Sequence, residues 1–511
     1  MTLEEIYARL DDPSRPLYFR ADGRLGEAGG AEVAAVIPAL SPADFGSPAF
    51  REEYGLKLAY VGGAMVGGIS SRAMVRALAE GGALGIFGAS GLPPSRVEEE
   101  VAALNLELAG RPFGSCLIHA PHDPAWEERV TEIYLKHRVR VIEASAFMQI
   151  TPHLVRYRLS GAFRRPDGTV VLPNRILAKV SRLELAKRFF APPPEKLVRA
   201  ALERGWLTPA EAELAPLAPL AGDLTAEADS GGHTDFRPAL TLWPALAAAA
   251  REAAARQGYP VPLRVGAAGG LGTPWAILAA RAAGVDYFVT GSINQSCLES
   301  GLAPAARELL AKAGQADMAS GPAADMFEMG ARVQVLKFGT LYAMRAQKLA
   351  ELHRQHQALE DIPAAERENL ETQIFKAPLA EIWKQTRLFF MEREPAQVER
   401  AERDAKHKMA LVFRWYLGQA SRWAIAGAED RRADWQILCG PAQGAFNEWA
   451  RGSLYEKAEN RRVMDLALNL FHGAAVLIRR QMARTLGVAP PGPAPELKPR
   501  PAAELAGFAG G

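Results

Sequence analysis

Short apolar segments of strand length alternate with amphipathic helical segments eight times in this chain, and that rhythm limits the fold more than any other feature. The strand candidates are Lys57–Val61, Ala83–Phe87, Phe113–Ile118, Val139–Ala144, Arg175–Ser181, Asp223–Ala228, Leu263–Ala267 and Asp286–Thr290. Helical segments such as Ser71–Glu80, Asp123–His137 and Thr273–Ala283 follow them. Strands alternating with helices imply βαβ units and a parallel sheet. Eight units predict a closed (β/α)8 (TIM) barrel, with an open doubly wound sheet as the rival. Helix starts carry their own chemistry. Asp123-Pro124 and Thr273-Pro274 each place a capping side chain before a proline at the first helical position, and Gly284 ends the helix that Thr273 begins.

The barrel is predicted over 56–340, with a helical insertion near 192–220 (Pro194–Arg204 and Thr208–Leu214). Residues 1–55 read as an N-terminal appendage, with Leu17–Arg24 a short strand running into a turn. From 341 to 486 the apolar period shifts towards 3.6. Tyr342–Leu359, Pro363–Phe375, Leu379–Phe390, Ala396–Tyr416 and Glu456–Arg484 are predicted helices of an appended C-terminal region. Beyond 487 the Pro/Ala/Gly-rich run predicts a disordered tail.

Composition excludes several classes. With 49% hydrophobic and 23% charged residues and a formal charge of +2, no strong field steers the chain to nucleic acid or to an anionic membrane. Cys116, Cys297 and Cys439 stand far apart, which argues against a disulfide framework or a structural zinc site and fits a reducing cytoplasm. No stretch has the length of a membrane span, and the acidic N-terminus lacks a signal-type apolar core.

Chemistry gathers at the ends of the predicted strands. The seventh strand runs into Ala268-Gly269-Gly270-Leu271-Gly272, and the eighth ends in Thr290-Gly291-Ser292. Glycines let backbone N–H groups approach a phosphate, and barrels commonly bind phosphate after strands seven and eight. After strand six comes Glu227-Ala228-Asp229-Ser230-Gly231-Gly232-His233-Thr234-Asp235. Its two glycines allow a flat ligand close to the backbone, and His233 can exchange a proton near neutral pH. Asp229 and Asp235 would hold that loop or orient His233. No second histidine lies at ligand spacing, so no metal is expected. Lys179 is a cation inside an apolar strand and needs a ligand or an ion partner. Ala64-Met65 follows strand one, Cys116 and His119 belong to the third strand end, and Glu143 and Ser145 to the fourth.

These segments resemble the nitronate monooxygenase and FMN-dependent enoyl-ACP reductase superfamily. Longer blocks narrow the likeness: Val141–Met148, Glu227–Pro238, Val265–Pro274, Pro322–Glu328, Phe413–Gly418 and Cys439–Asn447 are similar to the trans-acting enoyl reductases of bacterial polyunsaturated fatty acid synthases and trans-acyltransferase polyketide synthases. The resemblance implies FMN reduced by NADPH and acting on an α,β-unsaturated thioester of an acyl carrier protein. It implies flavin contacts from Ala64, Met65, Cys116, Lys179, Glu227, Gly231, Gly232, Ala268, Gly269, Gly270, Thr290, Gly291 and Ser292, with His233 the active-site histidine; His233 by preference, or water, would protonate the α-carbon. Lys179 or a backbone N–H would steady the thioester carbonyl. Cys116 stands where relatives usually carry Asn. The basic pairs Arg461-Arg462 and Arg479-Arg480 are candidates for receiving an acidic carrier, and a homodimer is compatible. The alternatives are a nitronate-oxidising flavin oxidase and a non-catalytic synthase component.

Overall fold

The computed structural model describes residues 3–30, 32–120, 123–259, 261–324, 326–490 and 492–509. Its centre is a closed barrel of eight parallel strands in chain order: β1 (Tyr60–Gly62), β2 (Leu84–Phe87), β3 (Gly114–Ile118), β4 (Val141–Ser145), β5 (Arg175–Val180), β6 (Asp223–Glu227), β7 (Arg264–Ala268) and β8 (Tyr287–Thr290). β8 pairs with β1 through Phe288↔Tyr60 and Thr290↔Gly62, which closes the ring. All eight strands overlap the segments the sequence marks.

Alternation along each strand sends one set of side chains inward and the other against the helices. Val61, Ile86, Val141, Leu177, Ala268 and Val289 fill the interior above Phe50 and Tyr54 of the helix Pro48–Tyr54. Part of the expected appendage is therefore the floor of the barrel. Burying charge there requires partners, and Arg264 has them. Its Nε lies 2.5 Å from Asp223 Oδ1 and its Nη2 2.6 Å from Glu53 Oε2, while Tyr54 donates to Asp223 at 2.7 Å.

The eighth helix of the barrel does not directly follow β8. After Thr290 the chain leaves for a cap and returns as the helix Val463–Thr485. That helix packs against Arg72–Glu80, which follows the cap-side end of β1, and against Pro274–Ala282, which follows β7. It thus occupies the position between the first and seventh helices. Phe471 enters an aromatic cluster with Phe45, Tyr60 and Phe288, at centroid distances of 5.1, 5.9 and 5.4 Å. Gly473 is required by packing: a Cβ there would stand 2.4 Å from Pro274 Cγ. The C-terminal helical region is present, then, but its last member belongs to the barrel.

The cap holds a three-stranded antiparallel sheet and a helical layer. Met318–Pro322 and Arg332–Leu336 form a hairpin, and Gly232–His233 adds to its edge. Residues 318–336, read from sequence as barrel, belong to this sheet. Helices Tyr342–Gln355, Leu379–Arg393, Pro395–Arg403 and Ala405–Ala426 cover it around Phe375, Phe413 and Tyr416. The single helix expected over Ala396–Tyr416 breaks at Asp404, whose carboxylate accepts the His407 N–H at 3.0 Å and starts a new helix.

The tail expected to be disordered instead runs along the last helix. Trp449 Nε1 donates to Leu497 O at 2.9 Å, the Arg500 N–H donates to Asn469 at 2.7 Å, and Leu505 and Phe508 are buried. Side chains of the folded body satisfy this backbone, a source of order that leaves no periodicity in the sequence. Pro491, Gly510, Gly511 and Asp325 of the Pro322–Glu328 block lie outside the described residues. Among those described, no helix is long and apolar enough to cross a membrane.

Candidate active site

A cavity of about 780 Å³ opens at the C-terminal ends of the strands, beneath the cap. Every residue singled out as catalytic or cofactor-binding lines it: Ala64, Met65, Cys116, Lys179, Glu227, Gly231, Gly232, His233, Ala268, Gly269, Gly270, Thr290, Gly291 and Ser292. Residues from different strand ends converge there because a parallel barrel aims all its βα loops one way.

The two glycine turns take up one side. Gly269 and Gly270 have φ of +81° and +78°, a region L side chains rarely adopt. A Cβ on Gly269 would meet the Ala228 carbonyl carbon at 2.6 Å, whereas Gly270 and Gly291 face open space. The Thr290 hydroxyl is spent on Tyr60 and Asn294. Thr290 therefore offers the cavity backbone rather than a hydroxyl. Ser292 Oγ accepts the Gly440 N–H at 3.0 Å.

Lys179 sits between two carboxylates, with Nζ 2.7 Å from Glu227 Oε1 and 3.8 Å from Glu143 Oε1. Burial is the largest influence on Lys179 and disfavours its charge, but Glu227 and Glu143 outweigh it and the ammonium stays protonated. Burial pushes the Glu143 carboxyl up from its ordinary value despite the lysine. Its Oε1 accepts the Ala64 N–H at 3.3 Å, and its Oε2 has no partner. Lys179 is thus paired and at the same time faces the cavity. Cys116 is buried beside this group. Burial first, then Glu143, pushes its thiol up to about 12, so it remains a neutral, weak donor.

The loop after β6 is tied to the cap. Gly232 pairs with Gln334 and His233 with Val333. Gln334 also donates to Asp229 at 2.6 Å, and burial raises the Asp229 carboxyl. Asp235 holds the loop to the end of β5: it takes two bonds from Arg182, each 2.9 Å, and one from Ser181 at 2.6 Å, and all three residues line the cavity. The Arg182 hydrogen bonds hold its carboxyl down at about 2. His233 projects from this short strand at the exposed rim of the cavity. His119 lies outside the lining. It stacks on Phe147, which does line the cavity, at 5.1 Å.

The cap supplies lining that the sequence did not mark as site: Met326, Met329, Leu438, Gly440 and Ala442. The signal was steric. A Cβ on Gly231 would lie 2.8 Å from the Cys439 backbone, and one on Gly272 2.1 Å from the Ala442 carbonyl oxygen. The basic pairs expected to receive a carrier are mostly internal. Arg461 and Arg479 are fully buried; Arg479 donates to the carbonyls of Leu10, Arg15 and Pro38, and Arg480 pairs with Asp11.

The enoyl reductase domain of MlnA from the macrolactin cluster of Bacillus amyloliquefaciens superposes with a TM-score of 0.82 at 36% identity, over 87% of this chain and 99% of that one. The chain belongs to the enoyl reductase family of polyketide and polyunsaturated fatty acid synthases. It is 41% identical, over 95% of its length, to a polyunsaturated fatty acid synthase polypeptide of Thraustochytrium sp., and 41% identical, over 87%, to polyketide biosynthesis protein PksE of Bacillus subtilis. It spans 33% and 58% of those two relatives. Residues 356–435, within the cap, match the family described as [Acyl-carrier-protein] S-malonyltransferase, inserted helical domain. A FabK variant from Thermotoga maritima shares the fold at 15% identity and a TM-score of 0.50.

Proposed function

We propose that this chain is a trans-acting enoyl reductase that reduces α,β-unsaturated acyl thioesters on an acyl carrier protein, using NADPH and FMN. The observation that carries the reading is the likeness to the MlnA enoyl reductase domain, which spans barrel and cap together. The cavity fits a flavin on its own terms. Gly270 and Gly291 leave backbone open towards it at the end where barrels hold phosphate, and Ser230 Oγ and Gln295 Oε1, both on residues lining it, are buried without partners. Gly269, Gly270, Gly291 and Ser292 would hold the phosphate; Ala64, Met65, Cys116, Lys179 and Glu227 would hold the ring system. When bound, FMN supplies the hydride chemistry.

The chain's own residues supply the rest. His233 gives a proton to the substrate α-carbon, and its place at the rim keeps it in reach of solvent for reprotonation. Lys179, held charged by Glu227, steadies negative charge in the cavity. The cap excludes water and receives the carrier. The test is anaerobic. NADPH should bleach the flavin absorbance of the purified protein, and a crotonyl-type thioester should restore it. His233→Ala should keep the bleaching and slow the recovery about 100-fold or more. Full-rate recovery in that variant would remove His233 from the scheme, and oxygen uptake with an alkyl nitronate in place of thioester reduction would overturn the reading.

A further inference from the structure

Two sequence blocks, Pro322–Glu328 and Phe413–Gly418, take no part in the strand-end site apart from one cap methionine. The fold joins them, with Arg414 Nη2 2.9 Å from Glu328 Oε1. The pair borders a second cavity of about 270 Å³. Helix Tyr342–Gln355 contributes His353, helix Pro395–Arg403 contributes Gln397 and Arg400, and helix Ala405–Ala426 contributes Lys406, His407 and Arg414.

The cavity is electropositive. Three cations, Arg400, Lys406 and Arg414, face two carboxylates, Glu328 and Asp404, which leaves 3 − 2 = +1 before either histidine is counted. Lys406 Nζ already donates to the His353 and His356 carbonyls, so it brings charge more than free donors. Asp404 is committed to capping His407 and lies 3.6 Å from Arg400. Burial first, and then Lys406 at His353 and Arg400 at His407, hold both imidazoles below their ordinary value. Two buried polar atoms have no partner: Arg414 Nε, a donor, and Glu328 Oε2, an acceptor. Leaving a buried polar group unmet costs stability, which a suitable ligand recovers. Met329 borders this cavity and the main one, so the two are neighbours across that side chain.

We propose that this cap cavity binds the phosphoryl group of a phosphate ester that carries a hydroxyl close by. Arg400 and Arg414 donate to the phosphate oxygens, Lys406 adds its charge from beside the His353 and His356 carbonyls, and Glu328 Oε2 accepts the hydroxyl. Two molecules of the proposed reaction share that chemistry: the phosphopantetheine arm that carries the acyl group, and a phosphate-bearing pyridine dinucleotide. The link to catalysis rests on the function proposed above; the binding itself does not.

The experiment is calorimetric titration of the full chain with 4′-phosphopantetheine and, separately, with adenosine 2′,5′-bisphosphate. At least one should bind. Arg400→Glu should weaken that binding tenfold or more, and Lys384→Glu, an exposed cation outside the cavity, should leave it unchanged. Preference for the pantetheine ester assigns the cavity to the carrier arm, and preference for the bisphosphate assigns it to the dinucleotide. If neither ester binds, or if Arg400→Glu binds as tightly as the parent, the proposal falls. Calorimetry reads binding without turnover, so that failure beside intact enoyl reduction would leave the proposed function standing.

Discussion

Phe471 tests the claim that the helix Val463–Thr485 is part of the barrel. Its side chain is fully buried against Phe45, Tyr60 and Phe288, which come from the floor segment, β1 and β8. Phe471→Ala removes the ring and opens a cavity between helix and sheet. Buried Phe→Ala changes cost about 3–5 kcal/mol, and each lost aromatic pair accounts for about 0.5–1.5 kcal/mol beyond area. The expected loss is about 4 kcal/mol, roughly a thousandfold in the unfolding constant. Urea denaturation followed by circular dichroism and tryptophan fluorescence measures it. Both probes should shift together to lower urea, since sheet and helix share one core. Leu106→Ala, on a side chain 84% exposed, is the control and should stay within about 0.5 kcal/mol. A cost below about 1 kcal/mol for Phe471→Ala, or a barrel signal that persists after the helix has melted, would refute the assignment.

Glu143→Gln should stabilise the chain by about 1 kcal/mol at pH 8, because it removes a buried charge while Glu227 keeps Lys179 paired. The folded pKa of Glu143 is raised, so the unfolded chain loses that proton first. The gain should therefore be absent below pH 4.5, grow as pH rises through the folded pKa and then level off in denaturant titrations. Asp235 has the opposite sign: with its folded pKa at about 2 against 3.8, Asp235→Asn should cost about 1 kcal/mol above pH 4 after solvent screening, and the difference should vanish as pH falls through 2. Gly231→Ala drives a Cβ into the Cys439 backbone and should cost about 1–3 kcal/mol, with slower thioester turnover in a stopped-flow assay.

The barrel was legible because its signals are local. Each strand is a short apolar run and each helix start carries its cap, as at Asp123 and Thr273, whose side chains accept from Trp126 N and Ala276 N. The cavity lining was legible because a parallel barrel gathers its strand ends and following loops on one face. What escaped reading depends on contacts between distant segments. The edge strand Gly232–His233 is only two residues long and exists because Arg332–Leu336 pairs with it. The lining from Gly440 and Ala442 follows from backbone approach to Gly231 and Gly272, about 170–210 residues away in sequence. Arg479 looked like a surface charge, yet it binds carbonyls of the N-terminal segment.

The cap interrupts the barrel between β8 and its eighth helix, and the two ends of that detour are fastened together. The Leu298 N–H donates to Arg461 O at 2.9 Å, and Arg461 Nη1 donates to Ser296 Oγ at 3.0 Å. On a ribosome, β8 emerges well before the helix that seals it, so an emerging barrel waits with Tyr60 and Phe288 uncovered while the cap is made. Closing a detour of about 170 residues instead of a five-residue turn costs only about 3 kcal/mol of chain entropy, since that cost grows logarithmically with length. With both ends clasped at Arg461, further length in the cap adds little: doubling the detour would cost only about 0.6 kcal/mol more of chain entropy, so the barrel tolerates growth of the cap wherever its contacts to Gly231, Gly272 and Asp229 are kept.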